Sequence, residues 1–114
     1  MNPKSYRIVA LAAAMLCAAA ALHAAATVTV DQKDKAFVYN GAKGGKVAIK
    51  VGDTVVFRNM DPYFHNVFSL SDAKTFDLGS YPQGQSKSVT FDKPGTVEVE
   101  CAVHPGMKIT VEVK

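Results

Sequence analysis

The segment CAVHPGM, Cys101 to Met107, lies thirteen residues from the C-terminal end of the 114-residue chain. It places a thiol, an imidazole three positions on and a thioether three beyond that on one short stretch. Taken singly, each residue has an ordinary reading: a cysteine on an apolar strand is a small core residue, a methionine fills space, and a histidine is a hydrogen-bonded, half-buried group. Taken together they are a ligand set. With three histidines and four methionines in 114 residues, a given cysteine acquires this His and Met spacing by chance about once in a thousand. A further histidine, His65 in DPYFHNVF, lies upstream where a loop enters a strand.

The donor types narrow the metal. Thiolate and thioether are soft ligands, and imidazole suits copper and zinc alike. Structural zinc takes four Cys or His ligands, for which methionine is a poor choice. Iron-sulfur clusters need several cysteines. Two imidazoles and one thiolate, with a weak axial thioether, make a one-electron copper site. A nucleophile-base reading of Cys101 and His104 is weaker. Residues three apart on a tight turn rarely face a common substrate, and no orienting third group is evident. The chain is therefore not expected to be an enzyme.

The elements that must position these residues are strands. From Thr27 onward the chain alternates apolar and polar residues in short runs broken by turn residues. ATVTVDQ, KAFVYN, KVAIKV, TVVFRN, FHNVFSL, SKSVTF, VEVECAV and MKITVEVK read as strands, with NGAKGG, GD and DKPGT between them. DAKTFDLGSYPQGQ reads as a long connection holding at most a short strand or helical turn. Seven to eight strands, each with one apolar face to bury, predict an all-β two-sheet sandwich over residues 27–114.

The first 26 residues read differently. Lys4 and Arg7 precede the uncharged apolar run IVALAAAMLCAAAAL, and Ala24 and Ala26 follow in an A-x-A arrangement. This is the three-part pattern of a secretory signal peptide, with cleavage after Ala24 or Ala26. The run is shorter than the ~20 residues a spanning helix needs, so no stable membrane insertion is expected after cleavage. The expected location is the periplasm. Residues 27–114 carry eleven basic and ten acidic side chains, and no basic run suggests nucleic acid. They also hold one cysteine, Cys101, which cannot form an internal disulfide. In an oxidising compartment such a thiol survives when buried or ligated.

These residues carry a resemblance. IKVGDTVVFRN leading into His65-Asn66-Val67, and GTVEVECAVHPGM at the end, resemble the cupredoxins, most closely the plastocyanin and amicyanin group. The resemblance spans the whole of 27–114. It implies a cupredoxin-type Greek-key sandwich holding one type 1 copper ion, with His65, Cys101, His104 and Met107 as ligands. It also implies that Asn66 supports the ligand loop from behind. The implied function is one-electron transfer by a monomer between a redox protein donor and acceptor that dock near His104. A copper chaperone or storage module without redox cycling is the alternative.

Overall fold

The computed structural model describes residues 23–114. The signal-peptide expectation therefore falls almost wholly outside the described residues, save 23–26. Ten strands follow in order: β1 (Thr27–Lys33), β2 (Ala36–Tyr39), β3 (Ala42–Lys43), β4 (Lys46–Ile49), β5 (Thr54–Asn59), β6 (His65–Ser71), β7 (Lys74–Tyr81), β8 (Ser86–Thr90), β9 (Gly95–Glu100) and β10 (Lys108–Val113). They form two five-stranded sheets, β3-β2-β1-β5-β8 and β4-β10-β9-β6-β7. Among the described residues there is no helix.

The period-two alternation seen in the sequence is the alternation between core and solvent. In β4 Val47 and Ile49 are buried and Lys46 and Ala48 exposed. In β9 and β10 the inward residues are Val97 and Val99, then Ile109, Val111 and Val113. Phe37 from one sheet face packs edge-on to Phe57 at 5.9 Å, and Phe76 meets Phe91 at 6.2 Å.

Two strands exceed the seven to eight expected. β3 is a two-residue extension of the NGAKGG turn, pairing with β2. The larger correction is Lys74–Tyr81, read as a connection and found as an eight-residue strand. β7 is a sheet edge, paired only with β6. Its inward residues Phe76 and Leu78 are only half-buried, while Thr75, Asp77 and Gly79 face water. An edge strand with polar residues and glycine on its outer face shows little of the apolar signal that marks a central strand.

The central pair of the first sheet is parallel. β1 and β5 run side by side from Thr27↔Thr54 to Gln32↔Asn59. A buried aspartate stands at each end of β5. Asp53 accepts the amide N–H of Ala26, just before β1, at 2.8 Å. Asp61 accepts the amides of Asp34 and Lys35, just after β1, at 2.7 and 3.1 Å. Both turn residues have positive φ, 53° and 60°, a conformation that asparagine, aspartate and glycine tolerate more readily than lysine. The Asp61 carboxylate holds the turn in that shape.

Candidate metal centre

His65 opens β6 at the point where the Met60–Phe64 loop enters the second sheet, and its side chain is fully buried. Cys101 follows the last residue of β9, and the loop Cys101–Met107 carries the chain to β10. That loop is closed by its own backbone. The amide of Cys101 donates to the Met107 carbonyl at 3.2 Å, and that of Met107 to the His104 carbonyl at 3.0 Å. Gly106 takes φ +90° to complete the turn. Since β6 and β9 are neighbours in one sheet, His65 and the loop meet at one end of the sandwich.

His65 Nδ1 stands 3.6 Å and His104 Nδ1 3.7 Å from Cys101 Sγ. The three ligand atoms lie within 4.8 Å of one another. The imidazole rings of His65 and His104 are 4.7 Å apart, centroid to centroid. Cys101 is 3% exposed, so the thiol is shielded from the oxidation and exchange that threaten a lone cysteine. Met107, 3% exposed, is buried at the far end of the same loop. The donor set, two imidazole nitrogens converging on one buried sulfur, is the chemistry copper selects.

The surroundings fix how the donors point. Asn66 Oδ1 accepts the Ala102 amide at 2.7 Å, tying the strand that carries His65 to the loop that carries Cys101 and His104. Asp61 acts more directly on the site. Its Oδ2 lies 2.7 Å from His65 Nε2. A carboxylate accepts at that distance, so Nε2 carries the proton and Nδ1 presents its lone pair toward Cys101. Burial alone would raise the Asp61 carboxyl. The hydrogen bond from His65 and the amides of Asp34 and Lys35 outweigh it and hold the group below its ordinary value. Asn59 completes the support: its Oδ1 accepts the Asp61 amide at 2.8 Å and its Nδ2 donates to the carbonyls of Tyr63 and Tyr81. His104 is held below its ordinary value by partial burial first, and then by His65 and Lys35. These effects favour the neutral imidazole, whose lone pair a metal can take.

Sequence reasoning passed over Asp61. Asp61 carried a usable signal: an acid four residues before a candidate ligand histidine, across a Pro-containing turn. The Tyr63 ring lies 5.4 Å from both imidazoles, edge-on to His65 and tilted against His104. Lys35 Nζ sits over the same ring, 5.7 Å from its centroid. Tyr63 thus packs against the site, whereas Phe64 beside it is 57% exposed and Val103 on the ligand loop 52% exposed. Met60, too, lies at the surface.

The model for copper binding proteins of the plastocyanin/azurin family matches residues 25–114, and the chain belongs to that family. Solved structures agree. A methionine-to-alanine variant of amicyanin in its Cu(I) form is 26% identical, covering 77% of this chain and 82% of its own, with a TM-score of 0.66. A proline-to-glycine amicyanin variant, in its reduced Cu(I) form at pH 4, is 27% identical over 84% of this chain and 88% of its own, with a TM-score of 0.66. A copper-containing nitrite reductase from Thermus scotoductus SA-01 is 26% identical over 77% of this chain, with a TM-score of 0.68. The match covers 22% of that enzyme. No curated protein matches the chain in sequence. The fold is thus the cupredoxin sandwich, and the cofactor of the cluster His65, Cys101 and His104 is copper.

Proposed function

We propose that this chain is an exported type 1 copper protein that carries single electrons between redox partners. The observation that supports it most is the convergence of His65 Nδ1 and His104 Nδ1 on Cys101 Sγ at 3.6 and 3.7 Å. His65, Cys101 and His104 would hold the ion, with Met107 as a weaker fourth ligand. When bound, copper supplies a one-electron couple between Cu(I) and Cu(II). The chain's own part is to hold the donors still. Asp61 fixes the His65 tautomer, Asn66 locks the loop to β6, and burial excludes water. Donors that hardly move keep the reorganisation accompanying electron transfer small.

The same geometry favours a carrier over an enzyme. His65 and Cys101 are closed off from solvent, and half-buried His104 is the group nearest the surface. Its loop neighbours Val103 and Pro105 are exposed, as is Phe64 beside His65, which gives exposed apolar residues on both ligand-bearing segments. Small apolar patches suit the brief encounters of electron-transfer proteins. Export rests on the pattern of residues 1–26, and the periplasm is the compartment we assign.

Visible spectroscopy of the purified protein with Cu(II) tests the reading. An intense charge-transfer band that disappears in Cys101→Ser is expected, because the thiolate is its source. A colourless protein that binds only Cu(I) would instead indicate a chaperone or storage role.

A further inference from the structure

Two peptide bonds, after Ala24 and after Ala26, follow an alanine; the A-x-A pair Ala24 and Ala26 favours the second, since the first has Leu22 two residues before its alanine. The structure distinguishes them. Ala26 is part of the folded domain. Its N–H donates to Asp53 Oδ1 at 2.8 Å, and its carbonyl accepts the Thr54 amide at 2.9 Å. Asp53 is 4% exposed and also accepts the Lys50 amide at 2.9 Å. The remaining donor is His23 Nε2, 2.9 Å from the same Oδ1. His23 itself is exposed, with 36% of its side chain accessible. Three donors therefore converge on one buried carboxylate, and one of them belongs to the segment upstream of both bonds.

We infer that maturation hydrolyses the Ala24–Ala25 bond and that the new N-terminus docks at Asp53. The inference rests on the export reading above. A membrane-bound peptidase of the export pathway would use water as co-reactant. The C–N bond between Ala24 and Ala25 breaks, the hydroxyl joins the Ala24 carbonyl carbon to leave a carboxylate on the leader, and Ala25 departs as an ammonium.

This choice conserves what the fold uses. Scission after Ala24 keeps both backbone bonds of Ala26. It removes His23, and it replaces that group with a positive charge one residue from the carboxylate. Scission after Ala26 removes two donors from Asp53 at once and leaves the Thr54 amide without its acceptor. It also unhooks one end of the β1–β5 pair, the end that mirrors Asp61 and its two turn amides. The span matched by the copper-binding family likewise opens at residue 25.

The full chain, leader included, is expressed in a Gram-negative host, and the periplasmic protein is identified by intact mass and N-terminal sequencing. A chain beginning at Ala25 is expected. A chain beginning at Thr27 overturns the inference while leaving export intact. A protein retained at full length overturns the inference and the export reading together. Docking is tested separately with purified chains beginning at Ala25 and at Thr27, each with and without Asp53→Asn. Because the Lys50 contact is common to both, the substitution should raise the unfolding constant severalfold more in the chain beginning at Ala25. Equal effects overturn the docking. Should D53N fail to fold, the unsubstituted pair decides: the chain beginning at Ala25 is expected to resist guanidinium further, and coincident midpoints overturn the docking.

Discussion

Asp61 is the residue whose replacement most directly tests how this site is built. Its two oxygens divide three donors. Oδ1 takes the Asp34 amide at 2.7 Å, and Oδ2 takes both the Lys35 amide at 3.1 Å and His65 Nε2 at 2.7 Å. In Asp61→Ala all three are orphaned. Asp34 and Lys35 are exposed turn residues whose amides can turn to water, but the His65 ring is fully buried and its donor cannot. A stranded buried donor costs about 1–3 kcal/mol. With the turn loosened as well, a loss of about 2–4 kcal/mol for the metal-free protein is expected.

Asp61→Asn is the sharper variant. An amide offers one acceptor oxygen where the carboxylate offers two. If that oxygen stays toward His65, the NH2 group confronts the Asp34 amide, donor against donor. If it turns away, the NH2 group faces Nε2 and demands the tautomer with the proton on Nδ1, aimed at the sulfur where the metal belongs. Either way copper affinity should fall about 10–100-fold, the range seen when a partner that orients a metal-bound histidine is lost. Competition against a chelator of known Cu(II) affinity measures the first quantity, and denaturant unfolding of the metal-free protein the second. Copper affinity within twofold of the parent in both variants would refute the assignment of the His65 tautomer to Asp61.

Other substitutions probe separate parts of the molecule. Met107→Gln should keep the copper and lower the reduction potential, because a weak thioether ligand would tune more than it holds. Voltammetry reads the shift, and loss of the metal would make Met107 a principal ligand or a fold determinant. Gly95→Ala should be strongly destabilising: φ is +145° and an added Cβ would lie 2.6 Å from the Ala73 Cβ. Strain and overpacking together predict about 2 kcal/mol or more and a melting temperature lower by roughly 10 °C, with an unchanged midpoint counting against the clash. Asp53, held at about 2 chiefly by the Lys50 and Ala26 amides, contributes stability that is complete above its ordinary value of 3.8 and lost as pH falls toward about 2. Asp53→Asn should therefore flatten the fall in stability across that window, as seen by denaturant unfolding at stepped pH.

The cluster of His65, Cys101 and His104 was legible because its signal is chemical. Cys101, His104 and Met107 are few in kind, close in sequence and improbable together, and His65 is distinguished by Asn66 beside it. The central strands were legible because Val47, Ile49, Val97, Val99 and their like alternate without interruption. Two things were hidden. The strand Lys74–Tyr81 lies at an edge, so only Phe76 and Leu78 needed to be apolar, and Gly79 sits where the register between β6 and β7 shifts past Asn66. Asp61 was hidden because its partners are backbone amides 26 and 27 residues away, together with one side chain four residues on. In sequence such a carboxylate is marked only by its spacing, four residues before His65 across a Pro-containing turn.

The two buried aspartates explain why the copper end and the far end should respond differently to disruption. A parallel pair such as β1 and β5 has no hairpin turn to set its register, and a one-residue slip would send Val55 and Phe57 to the wrong face. Such a slip moves one strand about 3.3 Å along the other, enough to break every hydrogen bond that Asp53 and Asp61 make to the chain flanking β1. Each carboxylate is therefore a register stop. Asp61 has a second duty in aiming His65, so in its variants stability and copper affinity are joined in one group and should fall together. Asp53 has no contact with the copper cluster. Asp53→Asn should weaken the fold while leaving the affinity of the folded protein for copper where it was. A fall in that affinity would mean that the register of β1 against β5, and not Asp61 alone, sets the position of the imidazole.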